Sequence, residues 1–351
     1  MTLHELAMNW IDFLQQQGAR QDMRDFGDLK SELESARSST VIAPLTDLGV
    51  IEVSGEDAKS FLHNLLTNDI NGLRQDTACL AGLCTPKGRL LATMTIWLEE
   101  QSLQLALSAD VLATVQKKLA MYVLRSKVKV SDATQKYALI GLSGPKATLA
   151  LASLGLDTER KSKLGKFEGG VAIHLGGDRY LVALSANSAQ DIWTQLTKTA
   201  TPVGQEAWHW LEIVAGIPRI TAKTQEEFVP QMLNYELVGG VSFTKGCYPG
   251  QEIVARSQYL GKIKRHMYRV AMEGDTSELQ AGATLFSSAA DDQPCGMVVQ
   301  SAYSPLGGAE ALVVLPSNCF EAGDLHLGSR EGPALRFLPL PYQHQDASQA
   351  S

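Results

Sequence analysis

The spacing of apolar residues predicts helices alternating with strands over the first two thirds of the chain, and short strands in the last third. Apolar residues recur at helical spacing from Leu3 to Leu14, and Gly18 ends that helix. The following stretch, 20–39, is polar and mixed in charge, so we expect it to be loosely packed. Residues 1–42 therefore read as an N-terminal helical extension.

Beyond this extension, segments with period two predict strands and longer segments with period 3.6 predict helices. The predicted strands are 50–53, 80–83, 90–98, 104–107, 128–130, 137–142, 171–174 and 180–184, and the predicted helices are 56–66, 111–124, 145–154 and 189–199. Such units with short turns favour an α+β fold over a doubly wound parallel sheet. Short strands broken by Gly and Pro then predict a small β-barrel over 262–342, followed by a disordered tail, 343–351.

Bulk properties narrow the class of protein. A chain of 351 residues is long enough for two or three domains. The net charge of −7 argues against a general binder of nucleic acids or anionic membranes. The sequence has no apolar run of membrane-spanning length and no basic secretion signal, and its five dispersed cysteines fit a reducing compartment. We expect a cytoplasmic protein without membrane partners.

One octapeptide, running from Lys245 to Glu252 with the sequence KGCYPGQE, carries the candidate chemistry. Two glycines and a proline within six positions specify a tight backbone path around one thiol, Cys247. The neighbouring ammonium of Lys245 favours the thiolate form of that cysteine. The alternative is a turn with a packed cysteine, because free cysteine is often buried. The sequence around Cys247 offers no further ligand at metal-binding spacing, so we predict no metal site.

The octapeptide also carries a family resemblance. Together with 240–244 before it and 253–256 after it, the octapeptide resembles the signature of the YgfZ family, whose members are folate-binding relatives of the glycine cleavage T-protein. Segments 50–69, 84–91, 215–218 and 296–305 resemble further parts of that family, in order along nearly the whole chain. The resemblance implies a GcvT-like α+β fold: two interleaved ferredoxin-like halves over 43–261, arranged around a folate channel, and then the barrel.

The resemblance also implies a function. Family members bind tetrahydrofolate or a derivative and support the assembly or repair of iron–sulfur enzymes, including those that methylthiolate tRNA. Cys247 is expected to be the functional thiol, assisted by Lys245, and a single thiolate would contact iron or a cluster only transiently. The expected folate contacts are Trp208, Leu48, Asn68, Tyr248, Gln251, Glu252 and Arg256. We expect no independent turnover, and an effect on tRNA that does not require direct tRNA binding.

Several of these side chains have a structural alternative. Lys245 could be a solvated surface lysine or could pair with a folate glutamate tail. Gln251 and Glu252 could satisfy backbone donors at a turn or helix start. Tyr248 could simply pack in the core, and so could one of the two tryptophans Trp208 and Trp210.

Three departures from the family pattern bear on the ligand and the reaction. Leu48 stands where relatives can have a second tryptophan against the folate, and Val214 stands where related proteins often have a glutamate that accepts pterin hydrogens. In the T-protein an aspartate assists aminomethyl transfer, whereas the run from Gly88 to Met94 has no carboxylate, only Ala92 and Thr93 nearby. The alternative function is a tetrahydrofolate-dependent one-carbon transferase. Because the carboxylate is absent, aminomethyl transfer itself is not expected.

Two further alternatives concern other chemistry. A cysteine hydrolase would need a histidine held by Asn or Asp beside Cys247, and the local sequence indicates none. The stretch from Arg256 to Arg269 carries five cationic and no acidic residues, so it could steer a polyglutamate tail, a tRNA or an acidic partner protein. It could equally be a strand edge guarded by charge.

Overall fold

The fold is described from a computed structural model over residues 3–156, 163–254, 264–291 and 293–343, with side chains from residue 9 onward. The helices are α1 (Leu3–Gln16), α2 (Leu29–Ser38), α3 (Ala58–His63), α4 (Ala109–Tyr122), α5 (Ala147–Ala152), α6 (Ala189–Leu196), α7 (Gln205–Val214) and α8 (Ser317–Ala322). Strands of the N-terminal part are β1 (Val41–Pro44), β2 (Leu48–Ser54), β3 (Ala78–Cys84), β4 (Leu90–Glu99), β5 (Ser102–Ser108), β6 (Lys129–Asp132), β7 (Tyr137–Ser143), β8 (Leu164–Phe167), β9 (Gly170–Gly176), β10 (Arg179–Ser185) and β11 (Thr201–Pro202). The C-terminal strands are β12 (Arg265–Met272), β13 (Thr284–Phe286), β14 (Gly296–Tyr303), β15 (Ala309–Pro316), β16 (Leu325–Leu327) and β17 (Ala334–Leu338).

The chain forms two compact units that are interleaved in sequence. The first comprises 1–59, 72–79 and 95–208, and the second comprises 60–71, 80–94 and 209–351. The boundary between them falls within β3 and β4, which belong to a five-stranded sheet of order β3-β4-β5-β2-β6. The finer division at 42, 261 and 342 stays a prediction.

The first unit contains a six-stranded sheet of order β11-β1-β7-β10-β9-β8. Its central pairs are antiparallel, with Val41 opposite Ser143 and Tyr180 opposite Leu142. The core on this sheet is apolar and includes Trp10 of α1 and Trp193 of α6, whose rings meet edge to face at 5.6 Å. The apolar spacing predicted α1 because one face of that helix is buried here.

The expectation that 20–39 is loosely packed was wrong. Residues 29–38 form α2, which begins after Asp28, whose side chain accepts a hydrogen bond from the Ser31 N–H. Glu32 of this helix is buried and accepts hydrogen bonds from the main-chain N–H groups of Gly204 and Phe26 at 2.8 and 2.6 Å. A polar segment is thus anchored by a buried carboxylate whose partner lies far away in sequence, which composition does not reveal.

The second unit ends in a closed barrel of order β12-β15-β14-β13-β16-β17. The longest pairing, β12 with β15, runs from Arg265 opposite Pro316 to Met272 opposite Ala309. Alternating apolar residues of these strands fill the barrel interior. The predicted α+β class and C-terminal barrel are confirmed, with one short helix, α8, that the nearly helix-free pattern did not predict. Within the described residues, no helix is both long and apolar enough to cross a membrane.

Candidate functional site

The octapeptide loop lies in the second unit, and a contact between two glycines fixes its path. Gly250 and Gly88 both have positive φ, +81° and +72°. A Cβ on Gly250 would lie 2.6 Å from the Cα of Gly88 and 2.6 Å from the Thr85 carbonyl oxygen. The loop can therefore approach the turn between β3 and β4 only because both positions lack side chains. Two segments that sequence analysis selected separately are thus brought together.

Lys245 is a buried ammonium and not a solvated surface lysine. The residue is 9% exposed, and its Nζ donates hydrogen bonds to the carbonyls of His63 and, at 2.6 Å, of Leu66. Burial lowers the pKa of Lys245 to about 8, and the nearby charges of Asp69 and Cys247 oppose that shift. The cation thus fixes the loop to the end of α3 and lies close enough to Cys247 to act on it electrostatically.

Cys247 is the accessible thiol of the protein. All five cysteines lie within the described residues, and Cys247 alone is exposed; Cys79 is half-buried and the other three are buried. Burial raises the pKa of Cys84 and of Cys295 to about 12, which makes these two thiols poor nucleophiles. The structure therefore does not support the packed-cysteine alternative for Cys247.

A histidine distant in sequence, His63, lies near the residue that precedes Cys247. The Nε2 atom of His63 is 3.9 Å from the place a Cβ would occupy on Gly246, the residue before Cys247. On the other side of the ring, Nδ1 lies 3.0 Å from Oδ1 of Asp69, an electrostatic contact without hydrogen-bond alignment. Folding thus brings a histidine–aspartate contact from a distant segment close to the octapeptide loop.

The residues flanking Cys247 serve the loop itself. Tyr248 is buried, with Nζ of Lys245 lying 4.9 Å from its ring centroid, and burial raises the pKa of its hydroxyl. Gln251 accepts a hydrogen bond of 3.3 Å from the Tyr248 N–H through Oε1, as expected for a residue at the start of a helical turn. Glu252 is exposed, whereas Arg256 lies outside the described residues.

Asn68 is held by the backbone around it. Its Nδ2 donates to the carbonyls of Leu80 and Gly239 at 2.7 and 2.8 Å, and its Oδ1 accepts from the Asp69 N–H at 2.9 Å. Its neighbour Thr67 donates to the Gly240 carbonyl at 2.6 Å. This segment thereby fixes Asp69, which faces His63.

Trp208 and Leu48 belong to the first unit. Trp208 is 1% exposed, and its indole lies flat on β7, since a Cβ on Gly141 would come within 2.3 Å of the ring. Leu48 is half-buried at the start of β2, paired with Ser108. Neither position would have been distinguished from core packing by local pattern alone.

Comparison with known proteins gives the family. Residues 11–183 match the GCVT N-terminal domain family. The tRNA-modifying protein YgfZ of Vibrio vulnificus (strain YJ016) is 30% identical over 316 residues, which are 89% of this chain and 95% of that protein. The protein of the same name from Photobacterium profundum is 31% identical over 306 residues, 86% of this chain and 91% of that protein.

The chain belongs to the YgfZ family. A solved structure, aminomethyltransferase T of the glycine cleavage system from Bartonella henselae, matches 90% of each chain with a TM-score of 0.73 and 20% identity. This likeness confirms the predicted GcvT-like fold. Among the described residues, no group of three or more His, Cys, Asp or Glu side chains is arranged to hold a metal ion.

In this YgfZ-family chain, the two β4 residues considered for aminomethyl transfer, Ala92 and Thr93, have a structural role. Ala92 is fully buried, and the Thr93 hydroxyl accepts a hydrogen bond of 3.1 Å from the Ile220 N–H while facing the Pro218 carbonyl at 3.4 Å. The Thr93 hydroxyl is thus occupied by the backbone of the second unit, and Ala92 is enclosed in its interior. Neither supplies the carboxylate that aminomethyl transfer requires.

A carboxyl group that sequence analysis missed lies elsewhere in the second unit. The Oε2 atom of Glu236 is shielded from solvent and has no hydrogen-bond partner among the described residues, and burial raises the Glu236 pKa to about 7. Burial, and to a smaller extent the charge of Glu236, raise the pKa of the Tyr342 hydroxyl to about 12, and this hydroxyl donates a hydrogen bond of 2.7 Å to the Gly216 carbonyl. Gly216 follows Val214 by two positions. Glu236 thus lies close enough to Tyr342 to act on it electrostatically, and Tyr342 contacts the turn that follows α7.

The described part of the basic stretch is occupied by internal contacts. Arg269 donates from Nε to Oε2 of buried Glu310 at 2.8 Å, and Arg265 donates from Nη1 to the Cys295 carbonyl at 3.0 Å. Tyr268 is buried and stacks on Phe320 at 4.4 Å. These contacts favour a structural role for this strand over an open surface for RNA bases.

Proposed function

We propose that this protein is a cytoplasmic, folate-binding accessory protein that supports iron–sulfur enzymes and thereby tRNA modification, with Cys247 as its functional thiol. The observation that carries the proposal is the exposure of Cys247, alone among five cysteines, on a loop fixed by Gly250 and by buried Lys245. A specified backbone path around one accessible thiol is what a carrier, redox or docking group requires.

Family membership supports the link to tRNA. The relatives from Vibrio vulnificus and Photobacterium profundum are named tRNA-modifying proteins, and they match nearly the whole chain. The internal contacts of Arg269 and Arg265 support an indirect effect through client enzymes rather than through tRNA held on this strand. The proposed clients are iron–sulfur enzymes that methylthiolate tRNA.

The second unit contains a carboxylate that suits the N–H donors of a reduced folate. A pterin ring presents neighbouring N–H donors along one edge, and a buried carboxylate without a partner is the group that would accept them. The Oε2 atom of Glu236 is such an acceptor, although the carboxyl group also has a hydrogen bond from its own backbone. In this proposal Glu236 accepts the pterin hydrogens that a glutamate at the position of Val214 would otherwise accept. The ligand is tetrahydrofolate, which carries a reduced pterin. No one-carbon step is assigned, because Ala92 and Thr93 provide no carboxylate.

The test is genetic. A strain lacking the gene is complemented with wild-type protein, with Cys247→Ser or with Cys79→Ser at matched protein levels, and the 2-methylthio content of its tRNA is measured. Restoration by the wild type and Cys79→Ser, but not by Cys247→Ser, is the expected result. Equal restoration by all three would assign Cys247 a structural role and overturn the proposal.

Folate binding is tested separately on purified protein. The protein is titrated with tetrahydrofolate under anaerobic conditions, and the binding heat is measured by calorimetry. We expect saturable binding whose affinity is at least tenfold lower in Glu236→Gln. Glu227→Gln, an exposed glutamate of the same unit, serves as the control and is expected to bind like the wild type. Absence of saturable binding by the wild type would remove folate from the proposal.

A further inference from the structure

The end of α4 and the turn after it, residues 117–129 of the first unit, concentrate positive charge. We call this segment the α4 tip. It contains five lysines and arginines and no acidic residue, in a chain whose net charge is −7. Lys127 pairs with Glu56 at 2.6 Å, whereas Lys117, Arg125 and Lys129 are exposed and have no ion-pair partner among the described residues. These three cations suit an acidic surface on another molecule.

Two apolar side chains are exposed among these cations. Met121 is 64% exposed, and Leu124, at 89%, is the most exposed large apolar side chain of the described residues. Lys117 and Met121 lie one helical turn apart on the outer face of α4, and Leu124 follows where the helix ends. Met and Arg are enriched at the centres of protein–protein interfaces, where apolar side chains are buried within a polar rim.

Leu124 also has a backbone conformation that leucine disfavours. Its φ is +43°, in the left-handed region that Gly or Asn usually occupies after a helix. The turn is nevertheless fixed, since the Ser126 N–H donates to the Val123 carbonyl at 2.7 Å and the Lys127 N–H donates to Oδ2 of Asp57 at 2.7 Å. A leucine here therefore brings backbone strain without gaining burial in the described part of the chain. Such strain concentrates at functional sites.

We propose that the α4 tip is the docking surface for an acidic protein partner. Leu124 and Met121 enter an apolar recess of that partner, and the three exposed cations face carboxylates around the recess. RNA suits the surface less, because phosphates cannot bury the two apolar side chains and Tyr122, the aromatic residue of the tip, is half-buried with Lys118 over its ring. A membrane-bound helix needs a continuous apolar face, whereas the exposed face of α4 before Met121 carries Ala, Thr and Lys.

The identity of the partner rests on the proposed function: it is an iron–sulfur enzyme that methylthiolates tRNA. The probe is therefore the purified, cluster-loaded tRNA methylthiotransferase of the same organism, without tRNA, and its binding to the full-length protein is measured by biolayer interferometry. Leu124→Asn places a polar residue that suits the left-handed turn. We expect a melting temperature at or above that of the wild type, together with roughly tenfold weaker binding through faster dissociation.

The charges are tested by the double substitution Lys117→Glu and Arg125→Glu. This variant should associate roughly tenfold more slowly than the wild type, and its association should depend less on salt. Leu149→Asn and Lys198→Glu change an exposed leucine and an exposed lysine elsewhere in the first unit, and both controls should bind like the wild type.

Equal affinity of all variants, or no binding by the wild type, would overturn the inference. Binding of tRNA alone or of phosphatidylglycerol vesicles would also overturn it if Leu124→Asn and the charge variant lose that binding, because the surface would then belong to that ligand. The proposed function is judged separately: it stands after either result if Cys247→Ser fails to restore methylthiolation.

Discussion

The ammonium group of Lys245 donates a hydrogen bond of 2.6 Å to the carbonyl of Leu66, which lies 179 positions earlier in the chain. The same group donates to the carbonyl of His63. One buried side chain thus ties the octapeptide loop to the end of α3. The arrangement also explains why a lysine occurs beneath the loop: an apolar residue of similar length would leave two carbonyls without donors.

Replacing Lys245 should therefore destabilise the second unit. Lys245→Met keeps the volume but leaves both carbonyls unsatisfied, and we expect a loss of about 2 kcal/mol or more in unfolding free energy. Urea denaturation followed by circular dichroism measures the change. Lys117→Met, on the exposed face of α4, is the control and should stay within about 0.5 kcal/mol. Equal midpoints for the two variants would show that the Lys245 hydrogen bonds contribute nothing net.

Glu236 should make stability depend on pH in a defined direction. Because burial raises its pKa to about 7 from the ordinary value of 4.5, the folded protein binds this proton more tightly than the unfolded chain. The associated stabilisation is complete below about pH 4.5 and is lost as the pH rises through 7. Glu236→Gln removes the cost of ionisation, so the variant should exceed wild type by up to about 3 kcal/mol at pH 8 and match it near pH 4.5.

Thermal melts of the Glu236→Gln variant across this pH range check that prediction, with Glu227→Gln as the matched control. A constant difference between Glu236→Gln and wild type at every pH would contradict the assigned titration. Stabilisation combined with weaker folate binding would indicate a carboxylate kept for a ligand at the expense of stability.

Trp208 and Gly141 should be energetically coupled. The indole covers Gly141, so Gly141→Ala forces a methyl group into the ring and should cost about 1–3 kcal/mol. In a Trp208→Leu background the smaller side chain makes room, and the same substitution should cost at least about 1 kcal/mol less. A double-mutant cycle of unfolding free energies gives this coupling. Additive effects would mean that strain at Gly141 arises from other neighbours.

Local pattern identified the octapeptide but not its partners. The octapeptide indicates a specified turn because Gly250, Pro249 and Lys245 occur close together in the sequence. The local sequence does not distinguish His63 or Glu236, because a single histidine at a helix end and a single glutamate in a loop are common in any protein sequence. Their significance arises only when folding brings distant segments together, and no periodicity encodes that.

The same reasoning explains which elements were predicted. Strands such as β7 and β10 follow from continuous apolar runs, because central strands are buried on both faces. The helix α2 was missed because its burial depends on Glu32 reaching the N–H of Gly204, 172 positions away. Family resemblance supplied the GcvT-like fold, which periodicity alone restricted only to α+β layers.

The barrel should depend on a buried carboxylate. Glu310 is 2% exposed and accepts hydrogen bonds from Trp210 Nε1 at 3.1 Å, Ser304 Oγ at 2.9 Å and the Arg269 guanidinium. Glu310→Ala leaves the mostly buried guanidinium of Arg269, whose side chain is 14% exposed, without its counter-ion, and breaking a buried ion pair typically costs about 3–5 kcal/mol. Urea denaturation should show this loss, whereas Glu321→Ala, an exposed residue of α8, should change the unfolding free energy by less than about 0.5 kcal/mol. A loss below about 1 kcal/mol in Glu310→Ala would mean that Arg269 finds solvent or another acceptor, and that this cation is available to a ligand after all.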